Sequence, residues 1–268
     1  MSPQPTVDEI LAAIQSGARY RHIDPGLVRR LIERELANRR NAKEVVKAVR
    51  SRLHQVGAVY IGDDLNLEHL RDQLESLPGG DPAALQSFCR SALAAHASTR
   101  ERLPILGAMY ATIFADLGPI HSLADYACGL NPLTYPWLNL APQATIWAGD
   151  IFSDLADFLN QFFKKANLNG TAVVHDLAAS IPSQPVQVGL LLKALPCLEH
   201  LDKRLPMHLL EELPCETLLV TYPARSLGGR SKGMVQNYAE RFNQLTAGKP
   251  WRIHRYDFSS ELAFVIQK

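Results

Sequence analysis

The chain has few cysteines, and neither they nor its histidines form a metal-binding or disulfide pattern. Its 268 residues include four cysteines and nine histidines, with no C-x-x-C pair and no H-x-x-x-H pair. The cysteines are widely spaced along the sequence: Cys89, Cys128, Cys197 and Cys215. This spacing indicates neither a zinc site nor a disulfide framework. We therefore expect no metal, and we expect the cysteines to be buried thiols in a reducing compartment.

Long hydrophobic runs and a secretory leader are also missing. A membrane-spanning helix needs about 18 or more consecutive apolar residues. The best candidate, residues 186–198, is interrupted by Lys193 and Pro196. The first eight residues lack the basic-then-apolar pattern of a signal peptide. The sequence predicts a cytoplasmic protein without a membrane partner, and 47% hydrophobic with 21% charged residues is an ordinary globular composition.

Net charge is small, but positive charge is concentrated in two segments. The whole chain carries a formal charge of +1. Residues 19–52 contain eleven Lys or Arg and four Asp or Glu, a local balance of +7, and residues 225–255 contain seven and one, a balance of +6. Clusters of this kind favour attraction to a polyanion such as nucleic acid. For either cluster alone, the alternative is a solvated helix face.

The first hundred residues carry repeated signals for helix starts. Asp, Asn or Ser at an N-cap accepts a hydrogen bond from the first helical turn, and Pro is favoured at the first helical position. Four such starts are present: Asp24-Pro25, Asn41 with Glu44, Asp81-Pro82, and Ser98 with Glu101 ahead of Leu103. We predict an all-helical amino-terminal domain over residues 1–105.

Beyond residue 105, strand-like apolar runs alternate with amphipathic segments. The runs are residues 122–127, 144–149, 171–175, 186–192 and 217–221. Alternation of this kind predicts a mostly parallel sheet with helices on both faces. Residues 251–258 and 261–267 flank Ser259-Ser260, which predicts a terminal antiparallel hairpin. The fold class is therefore α/β and Rossmann-like over residues 106–268.

One strand and turn in this half suggests a cofactor. Residues 123–132, LADYACGLNP, predict a strand that ends in an acidic residue and a glycine turn. Asp150 follows at the end of the next strand, about 20 positions beyond Gly129, where a carboxylate suits a ribose. A dinucleotide fingerprint would need further glycines near Asn131. The pattern favours a nucleoside cofactor without pyrophosphate, such as S-adenosylmethionine, and its alternative is an ordinary strand and turn.

The other strand ends add polar residues to the same predicted edge. Strand three delivers Asp176 and Leu177, strand four delivers Leu192 and Lys193, and strand five leads to Arg225. In open α/β sheets, ligands bind outside the carboxyl ends of the strands. A carboxylate there can accept from an adenine amino group, and a lysine can pair with the carboxylate of an amino-acid cofactor.

Several of these motifs resemble one known family. Residues 123–137, with the run CGLNP, are similar to the cofactor motif of the aminoglycoside-resistance 16S ribosomal RNA methyltransferases. The similarity continues at residues 96–103 (HASTRERL), 191–199 (LLKALPCLE) and 222–234 (YPARSLGGRSKGM), and more loosely at 29–30 and 50–57. It covers nearly the whole chain. The resemblance implies a class I methyltransferase-like fold. It also implies an enzyme that methylates N7 of guanine 1405 of 16S rRNA in the assembled 30S subunit, and this methylation would confer aminoglycoside resistance.

The resemblance also implies roles for particular residues. It implies that S-adenosylmethionine contacts Arg102, Gly129, Asp150, Asp176, Leu177, Leu192 and Lys193. It implies that Arg230, Met234 and Glu261 lie beside the target guanine as catalytic residues. The amino-terminal helices would dock on the small subunit, and with the basic clusters this predicts RNA contacts from Arg19, Arg21, Arg50, Arg52, Arg225 and Lys232. We expect a monomer.

Other interpretations remain open at this point. Arg102 could pair within its own helix, Met234 could fill the core, and Glu261 could be a charge on an edge strand. The protein could methylate another guanine, DNA or a protein. It could also be a ribosome-binding assembly protein that keeps the fold without activity.

Overall fold

The structure is a computed structural model that describes residues 6–38, 41–58, 65–224 and 233–268. Within these ranges, every helix is too short or too polar to cross a bilayer. The four cysteines are buried thiols outside any disulfide, as predicted.

Helices make up the described part of the chain before the sheet. They are α1 (Val7–Gln15), α2 (Pro25–Leu36), α3 (Ala42–Leu53), α4 (Leu67–Ser76), α5 (Pro82–Ala95), α6 (Ala97–Arg100) and α7 (Leu106–Ile113). Three of the predicted starts are confirmed, because the side chains of Asp24, Asn41 and Asp81 accept backbone N–H groups at the N-caps of α2, α3 and α5.

The fourth predicted start is wrong. Ser98 lies inside α6, whose N-cap is His96. Glu101 accepts a hydrogen bond from Lys193 Nζ at 2.8 Å instead of returning to a cap. The reason is a tertiary contact, since the buried lysine that follows β4 takes the Glu101 carboxylate as its partner.

The second half forms one mixed sheet with the order β3-β2-β1-β4-β5-β7-β6. The strands are β1 (Ile120–Tyr126), β2 (Leu140–Asp150), β3 (Asn169–Val174), β4 (Val186–Leu192), β5 (Cys215–Pro223), β6 (Arg252–Asp257) and β7 (Glu261–Gln267). The first five are parallel, and β7 runs antiparallel between β5 and β6. The predicted sheet and terminal hairpin are confirmed.

In the described residues, four further α-helices accompany the strands: α8 (Ser153–Lys165), α9 (Leu195–Glu199), α10 (Leu205–Glu212) and α11 (Met234–Thr246). One continuous hydrophobic core joins the early helices and the sheet. Backbone bonds from Asp24 N to Ile151 O and from Ser153 N to His22 O, both 2.8 Å, add to this junction. The prediction that residues 1–105 form a separate domain therefore stays a prediction.

A buried polar network lies where the helices meet the sheet. Arg102, 1% exposed, donates from Nε to Glu261 Oε1 at 2.6 Å and from Nη1 to Asn131 Oδ1 at 2.5 Å. Asn131 Nδ2 in turn donates to Asp125 Oδ2 at 2.7 Å. The Tyr110 hydroxyl donates to Asn131 Oδ1 at 3.3 Å. The network ties α7, the end of β1, the turn that follows it and the start of β7 to one guanidinium.

This network overturns one interpretation of Glu261. The Glu261 residue is fully buried, and its strand β7 lies inside the sheet between β5 and β6. The alternative of an exposed charge on an edge strand is therefore wrong. Its side chain also lies 3.3 Å from Lys193 Nζ, so one carboxylate faces two cations.

The network places Asp125 where ionisation is disfavoured. Burial raises the pKa of Asp125 to about 7, against the opposing effects of the Asn131 hydrogen bond and the Arg102 charge. Its Oδ1 is buried and has no hydrogen-bond partner among the described residues. In the unfolded chain the same carboxyl titrates near its ordinary value, so the folded state binds the proton more tightly.

We predict a pH-dependent difference in stability between the parent and Asp125→Asn. Because the folded pKa is raised from 3.8 to about 7, the parent loses stability relative to the variant as pH rises through that window. Above about pH 7 the difference becomes constant. Urea unfolding of both proteins from about pH 5 to about pH 8 measures it. A difference that does not change over this range would contradict the shifted pKa.

Candidate active site

A cleft opens at the carboxyl ends of the parallel strands. It encloses about 900 Å³ of space, part of it open to solvent. The chain before β1, called the helical segment below, closes the other side of the cleft with Val56, Gly57, His96 and Thr99. All the predicted cofactor contacts line it: Arg102, Gly129, Asp150, Asp176, Leu177, Leu192 and Lys193. Residues from six separate stretches of sequence thus meet at one edge of the sheet, as the strand-end argument predicted.

The glycine turn after β1 fixes the carboxylate at the end of β2. Gly129 has φ +52° and donates its backbone N–H to Asp150 Oδ2 at 2.8 Å, while Ile151 N donates to Oδ1 at 2.7 Å. Burial raises the pKa of Asp150, and these backbone N–H groups act in the opposite direction. A carboxylate has about four lone-pair sites, and the backbone N–H groups of Gly129, Ile151 and Phe152 do not fill all of them. Asp150 can therefore still accept hydrogen bonds from a ligand's hydroxyl groups.

The end of β3 supplies a second carboxylate. The Asp176 side chain is 3% exposed and pairs with Arg30 of α2. Its Oδ1 also accepts from Ala178 N at 2.8 Å. Leu177, the next residue, is buried and gives the same part of the cleft an apolar wall. The adjacent ends of β2 and β3 thus form an acidic and partly apolar subsite.

The end of β4 supplies a cation. Lys193 adopts φ +58°, a left-handed conformation that costs energy for a residue with a Cβ and is found at functional sites. Its Nζ contacts Glu101 Oε2 at 2.8 Å and Ser98 O at 3.1 Å. Lys193 and Arg102 thus bring two cations to this part of the cleft, where Glu101 and Glu261 pair with them. The glycine turn lies between Lys193 and the acidic subsite, because β1 lies between β4 and β2.

His96 is a cleft residue for which the sequence analysis predicted no role. Burial, together with the charges of Arg102, Lys193 and Arg100, lowers its pKa to about 4. The imidazole is therefore uncharged at neutral pH. A Cβ built on Gly129 would lie 3.7 Å from His96 Cε1, so the ring lies directly across from the glycine turn. Its place in the HASTRERL motif was the available signal.

Of the predicted substrate residues, the structure describes Met234 and Glu261, and neither lines this cleft. Met234 is half-buried at the first turn of α11 and borders a surface groove with Tyr238 and Arg241. Glu261 lies behind Arg102 and is not part of the cleft wall. The predictions for Arg225, Arg230 and Lys232 fall outside the described residues.

The predicted RNA-binding arginines of the helical segment fall into two groups. Arg19 and Arg21 are exposed. Arg50 Nη2 donates to Ala13 O at 2.8 Å, and its guanidinium lies 5.7 Å from the centre of the Tyr20 ring. Arg52 pairs with Glu35 at 2.9 Å and donates to His200 O at 3.2 Å. Arg50 and Arg52 thus hold the protein's own helices, and RNA contact stays a prediction for all four.

Both the sequence and the fold of this chain are similar to those of known proteins. The 16S rRNA (guanine(1405)-N(7))-methyltransferase of Micromonospora echinospora is 36% identical, over 100% of this chain and 98% of the relative. The enzyme of the same name from Serratia marcescens is 33% identical over 98% of both chains. The crystal structure of 16S rRNA methyltransferase RmtF in complex with S-adenosyl-L-homocysteine superimposes with a TM-score of 0.84, at 30% identity, over 100% of this chain and 99% of that one.

The family described as "Ribosomal RNA methyltransferase (FmrO)" matches residues 16–265. The match begins directly after α1 and runs through the cleft and most of the terminal hairpin. The chain therefore belongs to the FmrO family of ribosomal RNA methyltransferases.

Proposed function

We propose that the protein transfers a methyl group from S-adenosylmethionine to N7 of guanine 1405 of 16S rRNA, in the assembled 30S subunit. The observation that carries the proposal is the single cleft that gathers every predicted cofactor residue, in a chain whose relatives of that name match it from end to end. Methylation of a decoding-site guanine would confer aminoglycoside resistance. We propose that the protein acts in the cytoplasm, where its substrate is, and as a monomer.

The charge pattern of the cleft fits the cofactor. Asp150 would accept from the ribose hydroxyls, and Asp176 would accept from the adenine amino group. Lys193 and Arg102 would lie near the cofactor's carboxylate, and Leu177 would pack against the base. When bound, S-adenosylmethionine supplies an electrophilic methyl group on a sulfonium.

The reaction depends on the orientation of the reacting atoms more than on proton transfer. Guanine N7 carries an in-plane lone pair and no proton, so no general base is needed. Alignment of the reacting atoms can itself account for a large part of the rate. The guanine is stacked in RNA, so it would have to be flipped into the cleft at an unstacking cost of a few kcal/mol.

The substrate-side residues have different proposed roles. Arg230 would neutralise phosphate or stack on the flipped base, and Met234 would contact the base from the start of α11. Glu261, being fully buried, does not reach the cleft surface and would act by holding Arg102 and Lys193 in position. This replaces the predicted direct contact between Glu261 and the guanine.

Methyl transfer to purified 30S subunits, compared with naked 16S rRNA, tests the proposed function. Incorporation of labelled methyl groups should occur on subunits, and mapping should place it at N7 of guanine 1405. Modification of another nucleotide would move the target. Subunit binding without incorporation would support the alternative of an inactive assembly protein.

We predict that Asp150→Ala weakens S-adenosylhomocysteine binding by about 2 kcal/mol or more, because charge-assisted hydrogen bonds are lost. Calorimetry on the folded variant measures this. Asp157→Ala is the matched control, since Asp157 is exposed on α8. If the folded Asp150 variant binds with parental affinity, Asp150 is not a cofactor ligand.

We predict that Arg19→Ala with Arg21→Ala weakens subunit binding and makes its salt dependence flatter, by roughly one unit of slope or more. The two arginines are chosen because both are exposed, whereas Arg50 and Arg52 are half-buried and contact the protein's own backbone. Affinity for S-adenosylhomocysteine should not change. Lys164→Ala removes an exposed charge at the end of α8 and serves as the control. Equal subunit affinity and salt slope in parent and variant would mean that the patch is a solvated face.

A further inference from the structure

We infer that Arg30 of α2 is a positioning residue for the adenine end of the cofactor, through the Asp176 carboxylate. Arg30 belongs to the helical segment, 146 residues before its partner. It does not line the cleft itself, whereas Asp176 does. The inference rests on the proposed function, in which Asp176 accepts a hydrogen bond from the adenine amino group.

The contacts of α2 converge on the loops that form the cleft. At its start, Asp24 N donates to Ile151 O at 2.8 Å, next to Asp150. In its middle, Arg30 pairs with Asp176. One turn later, Arg34 Nη1 donates to Leu201 O at 2.8 Å, and Leu201 is another cleft residue. A single helix therefore holds three separate parts of the cleft wall.

Asp176 needs this partner more than Arg30 does. The carboxylate is 3% exposed, whereas the Arg30 side chain keeps 42% of its surface in water. A buried carboxylate that loses its cation is left poorly compensated, and truncation of one member of such a pair is costly. Ala178 N holds only Oδ1, so Arg30 is what fixes Oδ2 and hence the direction of the second oxygen.

The neighbouring Arg29 offers a matched control within the same helix. It pairs with Asp8 at 2.6 Å, with 44% and 77% of the two side chains exposed. Arg29→Ala therefore removes the same charge from the same helix without touching the cleft. Arg30→Lys keeps the charge but not the planar fork of the guanidinium.

Binding of two ligands separates positioning from general loss of structure. S-adenosylhomocysteine carries the adenine amino group, and S-inosylhomocysteine carries a carbonyl oxygen in its place. Calorimetry with the full chain should show that Arg30→Ala weakens S-adenosylhomocysteine by about fivefold, and Arg30→Lys by less. For S-inosylhomocysteine the loss of affinity should be less than about twofold, because its base has no amino group to donate a hydrogen bond to Asp176. Arg29→Ala should match the parent with both ligands.

Asp176→Asn distinguishes failure of this inference from failure of the proposed function. If Asp176→Asn weakens S-adenosylhomocysteine while Arg30→Ala does not, the positioning role is overturned and the cofactor site stands. An equal loss for both ligands in Arg30→Ala would also overturn it, since the effect would then be structural. If the parent binds neither ligand, the proposed function itself fails. If Arg30 acts through Asp176, the double variant Arg30→Ala with Asp176→Asn should bind S-adenosylhomocysteine no more weakly than Asp176→Asn alone.

Discussion

The buried ion pair between Arg102 and Glu261 is the constraint on which the cleft depends. Each charge alone would cost several kcal/mol in this interior, so the two must be placed together. They lie 159 positions apart in sequence, in the loop after α6 and at the start of β7. Lys193 and Asn131 contact the same pair and extend it to the ends of β4 and β1. One electrostatic requirement therefore fixes four segments beside the cleft.

Charge is distributed across the cleft in the order of the strands. Asp176 and Asp150 end β3 and β2, the glycine turn follows β1, and Lys193 ends β4. This sequence of groups matches a ligand with a nucleoside at one end and a charged amino acid at the other. Helix α2 reinforces the acidic end through Arg30 while belonging to the segment proposed to dock on the ribosome. The segment proposed to dock and the proposed cofactor site thus share one structural element.

Local signals in the sequence predicted the fold and much of the cleft. The caps at Asp24 and Asp81 depend only on neighbouring residues, and strand ends in a parallel sheet meet at one edge whatever their loops do. The wrong capping box at Ser98 and the hidden position of Glu261 have another cause. Each is decided by a partner far away in sequence, and hydrophobic periodicity carries no information about such a partner. The same is true of the ion pair between Arg30 and Asp176.

The most direct test of this account is the affinity of Glu261→Gln for S-adenosylhomocysteine, measured by calorimetry. Glutamine keeps the shape of the side chain but removes the charge that holds Arg102 and Lys193. The account predicts a folded protein that binds at least about tenfold more weakly, because the cations move from their positions. Glu216→Gln, at an exposed site on β5, should bind like the parent. An unchanged or tighter affinity in Glu261→Gln would contradict the account.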